Sequence, residues 1–367
     1  MIKLIKKEDK WSDMKNVDGL PLNYNFEIPK TLRIIEKNLQ NKEDVLRISL
    51  QFPDGLLTYA PVLINLFYFT FKDKINVTIL NDVVYGACCI DDAFPSDLII
   101  HYGHSCLVPV TEMNCKVLYV FVDIKIDIQH LYELIVSNFS DKNIALLGTI
   151  QFNSAVNRLC HKFKTSQNNN VNIPRVRPLS NGEVLGCTSP VIKEDIVVYI
   201  GDGRFHLESA MIRNPQKEFY KYSPYDRKLT KEFYDFDKMI NLRNEASTVL
   251  KKLKYENITF GVILSNLGKQ ANQYLFERVV KKLKSFNIKV YKIVCGEINN
   301  EILKIYSFCD GFVQIGCPRL SIDWGCGYIK PLLSPYEIFR YLDDHKGAYM
   351  MDYYSKEEKN PWSMYGE

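Results

Sequence analysis

No stretch of this sequence holds the ~20 consecutive apolar residues that a membrane-spanning helix needs. Its first residues, MIKLIKKEDKW, lack the apolar core of a secretory leader. The chain is therefore expected in the cytoplasm, without a membrane partner. Charge of one sign is not in excess either: 47 Lys and Arg face 43 Asp and Glu, for a net +4. Nucleic-acid-binding domains carry a concentrated basic face. The short basic runs here, Lys251, Lys252 and Lys254 and then Lys281, Lys282 and Lys284, sit in polar helical patterns and read as solvated helix faces. Direct nucleic-acid binding is not expected. Neither G-x-G-x-x-G nor the P-loop pattern occurs, which removes the two common phosphate-cradling loops. The ten cysteines show no C-x₂-C zinc spacing and no ferredoxin run. In a reducing compartment they are not expected to pair as disulfides.

What is present is the material of an α/β protein. The 367 residues are 46% hydrophobic and 25% charged, and at roughly 100–200 residues per domain they predict two or three domains. Short β-branched apolar runs alternate with longer mixed segments. Strands are expected over 45–52, 77–80, 98–101, 117–122, 144–150, 184–185, 196–200, 258–264, 290–294 and 311–315, and helices over 59–71, 127–138, 153–164, 270–286 and 297–308. That alternation predicts βαβ units and parallel sheets covered on both faces. The strands fall into three sets, so three similar parallel-sheet domains are expected: 1–130, 131–245 and 246–367. The polar stretch 165–172 reads as a surface loop, 217–238 as the approach to the third domain, and the first 30 or so and last 25 or so residues as irregular surface wrap.

Ligands of parallel sheets gather at the carboxyl ends of the strands. Three cysteines lie at such ends, one per expected domain: Cys88 in NDVVYGACCIDD, Cys187 in NGEVLGCTSP and Cys317 in VQIGCPRLSIDWG, separated by 99 and 130 residues. Gly86, Gly186 and Gly316 stand beside them, and glycine lets a backbone approach a bulky ligand. Spacing by itself leaves a metal site and three buried core cysteines both open. Cys115, Cys160, Cys295 and Cys309 lie in or beside apolar stretches and read as core filling. Cys89 competes with Cys88 as a ligand, and Cys326 reads as a loop cysteine or a redox-active neighbour. Asp54 in QFPDGLL and the pair Asp91 and Asp92 are expected to cap helices.

The motifs YGACCIDD, NGEVLGCTSP, GDGRFHLE and CPRLSIDWG resemble those of the diphthamide-synthesis radical enzymes. LPLNYNFEIPKT, QFPDGLL and the MDYY…PW ending place the likeness in the first-subunit branch, over nearly the whole chain. The resemblance implies three α/β domains around a central [4Fe–4S] cluster bound by Cys88, Cys187 and Cys317, without the compact C-x₃-C-x₂-C motif of most radical enzymes. It implies cleavage of S-adenosylmethionine to a 3-amino-3-carboxypropyl radical, which adds to a histidine of translation elongation factor 2. It further implies a heterodimer with a second subunit and a small metalloprotein as electron donor. Four residues are expected at the cofactor. Asp202 and His206 in GDGRFHLE face S-adenosylmethionine or the protein substrate, or else form a tight turn before a capped helix. Gln270 matches the family's LGRQG segment, where Lys269 and Ala271 depart from it. Arg319 pairs with a carboxylate of the cosubstrate or, alternatively, with Asp323. Competing readings are a non-catalytic iron–sulfur scaffold or electron-relay subunit of the same complex, a dehydratase like quinolinate synthase, and a plain nucleotide-binding α/β protein.

Overall fold

The computed structural model describes every residue except 1–9, 12, 13, 15, 81–85, 167–169, 255, 256, 271 and 346. Tyr85 of the YGAC motif, part of the expected loop at 165–172, and Ala271 therefore lie outside the described residues. Contacts divide the chain into two compact units, Met1–Ile126 and Asp127–Glu367.

In the first unit, β2 (Leu46–Gln51), β3 (Ile75–Leu80), β4 (Leu98–Tyr102) and β5 (Lys116–Val120) form a parallel sheet in the order β3-β2-β4-β5 among the described residues. A two-residue strand β1 (Tyr24–Asn25) pairs antiparallel with β6 (Asp123–Ile124). Helix α1 (Ile28–Leu39) adds to the expected set. Pro29 suits its first turn, and Ile28, Leu32 and Ile35 form its buried stripe. The short α2 (Asp54–Leu57) carries Asp54 in its first turn, and α3 (Ala60–Phe71) follows. Asp92 caps no helix; its carboxylate accepts from the Asn114 backbone N–H at 2.8 Å.

In a parallel sheet all carboxyl ends lie on one edge, and a buried relay runs along that edge. Gln51, at the end of β2, donates from Nε2 to the Cys89 carbonyl at 2.8 Å. Its Oε1 is thereby left as the acceptor 3.0 Å from His101 Nδ1, so His101 carries its hydrogen on Nδ1. Burial, reinforced by His104, holds the His101 imidazole neutral and its pKa well below the ordinary histidine value. Cys88 ends a single 3-10 turn, Gly86–Cys88, just ahead of this grip. Gly86 takes a φ of +66°, where a Cβ would lie 2.6 Å from the His104 ring.

The second unit carries two sheets. One has the order β11-β10-β9-β7-β8, with β7 (Ile144–Gly148), β8 (Val171–Asn172), β9 (Ile196–Ile200) and β10 (Glu218–Ser223) parallel and β11 (Lys228–Glu232) closing a hairpin on β10. The other is wholly parallel in the order β13-β12-β14-β15, with β12 (Thr259–Ser265), β13 (Lys289–Cys295), β14 (Gly311–Ile315) and β15 (Leu332–Leu333). The helices are α4 (Ile128–Asn138), α5 (Asn153–Thr165), α6 (Phe205–Arg213), α7 (Phe236–Ala246), α8 (Gln273–Ser285), α9 (Asn300–Ile305), α10 (Pro318–Trp324) and α11 (Pro335–Leu342). Side chains of Asp127, Asn272 and Asn299 cap α4, α8 and α9.

Three expectations change here. Residues 184–185 form no strand: Leu185 and Thr188 bond to each other across a tight turn, so the chain reverses instead of extending. Residues 217–238 hold the β10–β11 hairpin and the start of α7, because their Tyr, Phe and Thr favour strands and Tyr225 and Asp226 sit in the turn between. The tail is no surface wrap, since Met351, Asp352, Tyr353 and Tyr354 are buried. Among the described residues no helix is long and apolar enough to cross a membrane.

A buried ion pair ties α7 to α11. Arg243 donates from Nη2 to Glu337 Oε2 at 2.9 Å and to the Leu332 carbonyl at 2.7 Å, and Tyr349 donates to Glu337 Oε1 at 2.9 Å. Glu337 also closes a capping box with Ser334.

Removing one partner of a buried pair strands the other charge. Arg243→Met is expected to cost about 3–5 kcal/mol in urea unfolding; a loss below about 1 kcal/mol, the worth of a surface pair, would contradict the assignment. His101 yields a pH prediction. Its folded pKa is depressed, so the unfolded state binds more protons as pH falls below ~6.5 and stability declines from there. The urea midpoint is expected to fall between pH 7.5 and 5, and to fall less in His101→Leu; identical slopes would rule the neutral assignment out.

Candidate functional site

The two cysteine loops of the second unit are built differently. Cys317 ends β14 and is the N-cap of α10, with Pro318 at the first helical position, where an N–H would have no partner. Gln314, a fully buried polar residue in an otherwise apolar strand, donates from Nε2 to the Cys317 carbonyl at 2.9 Å and so holds the loop to its own strand. Cys187 sits at the tip of the Leu185–Thr188 turn, where the tail laces it in place. The Tyr353 N–H donates to the Cys187 carbonyl at 3.3 Å, the Ser189 N–H to the Met351 carbonyl at 2.8 Å, and the Tyr354 N–H to Thr188 Oγ1 at 3.0 Å. Thr188 Oγ1 in turn lies 3.6 Å from Cys187 Sγ.

These loops bring together two thiols that stand 130 residues apart in sequence. Burial pushes the Cys187 thiol up to about 12, and the nearby Cys317 thiol adds to the shift; Thr188 and the Arg319 charge oppose it. Two soft sulfur donors close together, with Cys187 harder to ionise beside Cys317, suit a cation of the iron–sulfur class, which would reverse the sign of that electrostatic balance. Among the described residues no set of three or more His, Cys, Asp or Glu side chains is gathered to hold an ion; the second unit presents a pair. Cys88 belongs to the first unit. Cys160 and Cys309 are buried, Cys115 and Cys295 half-buried, and Cys106 and Cys326 exposed.

The glycines next to these cysteines serve packing. At Gly186 a Cβ would lie 2.0 Å from the Phe205 ring. At Gly316 it would lie 3.0 Å from Ser265 Cβ, 3.2 Å from Gln314 Oε1 and 3.4 Å from Gln270 Oε1. The buried Gln270 is thus brought beside the residue that precedes Cys317. Asp202 is exposed. His206 starts α6 with its ring 5.5 Å from that of Phe205, and burial together with the Arg319 charge lowers its pKa to about 4. Arg319 is only 2% exposed. Its Nε reaches Asp323 at 2.8 Å, its Nη1 the Phe205 carbonyl at 2.7 Å and the Gly186 carbonyl at 3.4 Å, and its Nη2 Glu208 at 2.7 Å. Every nitrogen of the guanidinium thus has an acceptor within the protein, Asp323 among them. Phe205, Thr188 and Gln314 were not singled out from the sequence. A glutamine inside an apolar strand, three residues before a strand-end cysteine, is the signal that would have found Gln314.

Comparison with known proteins agrees with this architecture. A family described as "Putative diphthamide synthesis protein" matches residues 52–353. The 2-(3-amino-3-carboxypropyl)histidine synthase subunit 1 of Encephalitozoon cuniculi is 51% identical over 350 residues, covering 94% of this chain and 95% of the relative. The mouse protein of the same name is 40% identical over 360 residues, covering 95% and 79%. Among solved structures, Dph2 from Pyrococcus horikoshii superposes with a TM-score of 0.70 at 25% identity, over 88% of this chain and 93% of that one. The crystal structure of the same protein with a 4Fe-4S cluster gives 0.69 at 24% identity, over 87% and 92%. With its parallel sheets, its paired Cys187 and Cys317 loops and a family match over most of its length, this chain belongs to the diphthamide synthesis protein family.

Proposed function

We propose that this chain transfers the 3-amino-3-carboxypropyl group of S-adenosylmethionine to a histidine of translation elongation factor 2, as the transferase subunit of a two-subunit synthase. In this reading Cys88, Cys187 and Cys317 hold one [4Fe–4S] cluster, each from one of three related segments, 1–130, 131–245 and 246–367. The observation that carries it is the nearness of the half-buried Cys187 to the buried Cys317, two thiols from remote parts of the chain. The names of the relatives support the group transferred and, through "subunit 1", a partner subunit; the solved relative supports the cluster.

When bound, the cluster would supply one electron to the sulfonium and, with three thiolates for four irons, an iron open to it. The chain's own residues position and exclude water. Gln314 and the Tyr353 and Tyr354 amides fix the cysteine loops. The buried Met351 and Tyr353 keep one side dry, which strengthens every electrostatic contact inside. In this reading Gln270, beside Gly316, meets the amino-acid end of the cosubstrate. Asp202, exposed just past β9, and His206, held neutral, serve the cosubstrate or the incoming protein loop in the same reading. A small metalloprotein as electron donor and a cytoplasmic setting complete the reading.

The chain purified anaerobically is expected to be brown, with about four irons per chain. Cys88→Ala, Cys187→Ala and Cys317→Ala are each expected to lose most of that iron while Cys326→Ala keeps it. A colourless wild type with about one zinc would overturn the proposal. Release of methylthioadenosine, measured with the ligand cysteines removed from one subunit at a time, separates transferase from scaffold: the transferase reading expects release to stop when this chain's cysteines are removed.

A further inference from the structure

Arg319 is the largest side chain among the fully buried residues, and it touches all three conspicuous motifs of the second unit. It follows Cys317 by two residues in CPRLSIDWG. It donates to two backbone carbonyls, that of Gly186 immediately before Cys187 and that of Phe205 within GDGRFHLE. Its guanidinium also stacks 4.3 Å above the Phe205 ring. That ring occupies the space left by the missing side chain of Gly186, where a Cβ would stand 2.0 Å away, while Phe205 as a whole stays 41% exposed. Phe205 thus fills the gap at Gly186 and covers Arg319 from solvent.

The charges balance within this layer. Arg319 meets Glu208 at 2.7 Å and Asp323 at 2.8 Å, and Glu208 is shared with Arg204 at 3.4 Å. Arg204 pairs also with Glu232, which leaves Glu208 and Asp323 to compensate the buried guanidinium, the condition for keeping it buried at all. A planar fork is required for this work. Lysine carries the charge but cannot stack flat on a ring and donate to four acceptors at once.

We propose that Arg319 is a positioning residue that clasps the Cys187 turn to the Cys317 helix across Phe205, setting the separation of the two thiols before any metal arrives. GDGRFHLE supplies the floor of the clasp through Phe205 and its counter-charge through Glu208. What the thiols then hold rests on the function proposed above; the clasp itself does not.

The test uses the full chain in two states. In the metal-free state, a short bis-alkylating reagent such as dibromobimane is expected to bridge Cys187 to Cys317, identified by peptide mapping. Arg319→Lys and Phe205→Leu are expected to lower that yield at least threefold while far-ultraviolet circular dichroism stays unchanged. In the anaerobically reconstituted state, the same variants are expected to bind less iron. The clusters that do assemble are expected to show a more negative reduction potential in Arg319→Lys, because loosening a nearby cation favours the oxidised form, a shift that mere loss of stability would not produce. Wild-type bridging yield and potential in either folded variant would overturn the clasp. Normal wild-type bridging with no iron uptake would overturn the iron–sulfur reading and leave the clasp standing.

Discussion

Two sulfur atoms cannot share a dry neighbourhood without consequence, and the second unit is organised around that constraint. Burial disfavours the Cys187 thiolate, and the nearby Cys317 makes it harder to form. Protonated, the pair packs as small apolar side chains do, as the buried Cys160 and Cys309 also do. A bound cation inverts the balance. A metal held there has to displace the Cys187 proton.

The rest of the site follows from keeping that pair in register. Parallel strands deliver Cys317 at the end of β14 and GDGRFHLE at the end of β9. Neither strand end reaches the Cys187 turn by backbone pairing, so the tail and the arginine take over. The tail grips the turn from one side through Met351, Tyr353 and Tyr354. Arg319 grips it from the other. The tail is anchored in turn by Asp352, whose carboxylate accepts from Trp362 at 3.1 Å and Asn360 at 2.7 Å. The MDYY and PW segments thus belong to the architecture of the site.

Period and punctuation made the β-strand and helix framework legible. Continuous apolar runs such as IVVYI at β9 and GFVQI at β14 have few structural alternatives, and the end of β14 pointed to Cys317; Cys187 was read at the end of a strand over 184–185 that the chain replaces by a turn. The β10–β11 hairpin was not legible as such, because EFYKYS and KLTKE mix charge with aromatics on a half-exposed sheet edge, where packing carries the preference. Helix α1 was missed because the irregular arm before it ends abruptly at Glu27, in a left-handed conformation at its N-cap. The glycines beside the cysteines were visible, but their reason was not: what fills the space at Gly186 is a ring 19 residues on. Arg319 shows the same limit. Its pairing with Asp323 is local and readable at four residues' spacing, whereas its bonds to Gly186 and Phe205 span more than 100 residues and exist only in the folded chain.

The account stands on a thiolate-held iron–sulfur centre with one iron lacking a protein ligand. Mössbauer spectroscopy of the anaerobically reconstituted, iron-57-enriched chain reads this directly, without and with S-adenosylmethionine. The account predicts one iron site in four distinct from the other three, shifting when S-adenosylmethionine is added while the other three stay unchanged. Four equivalent irons that ignore the addition would contradict it.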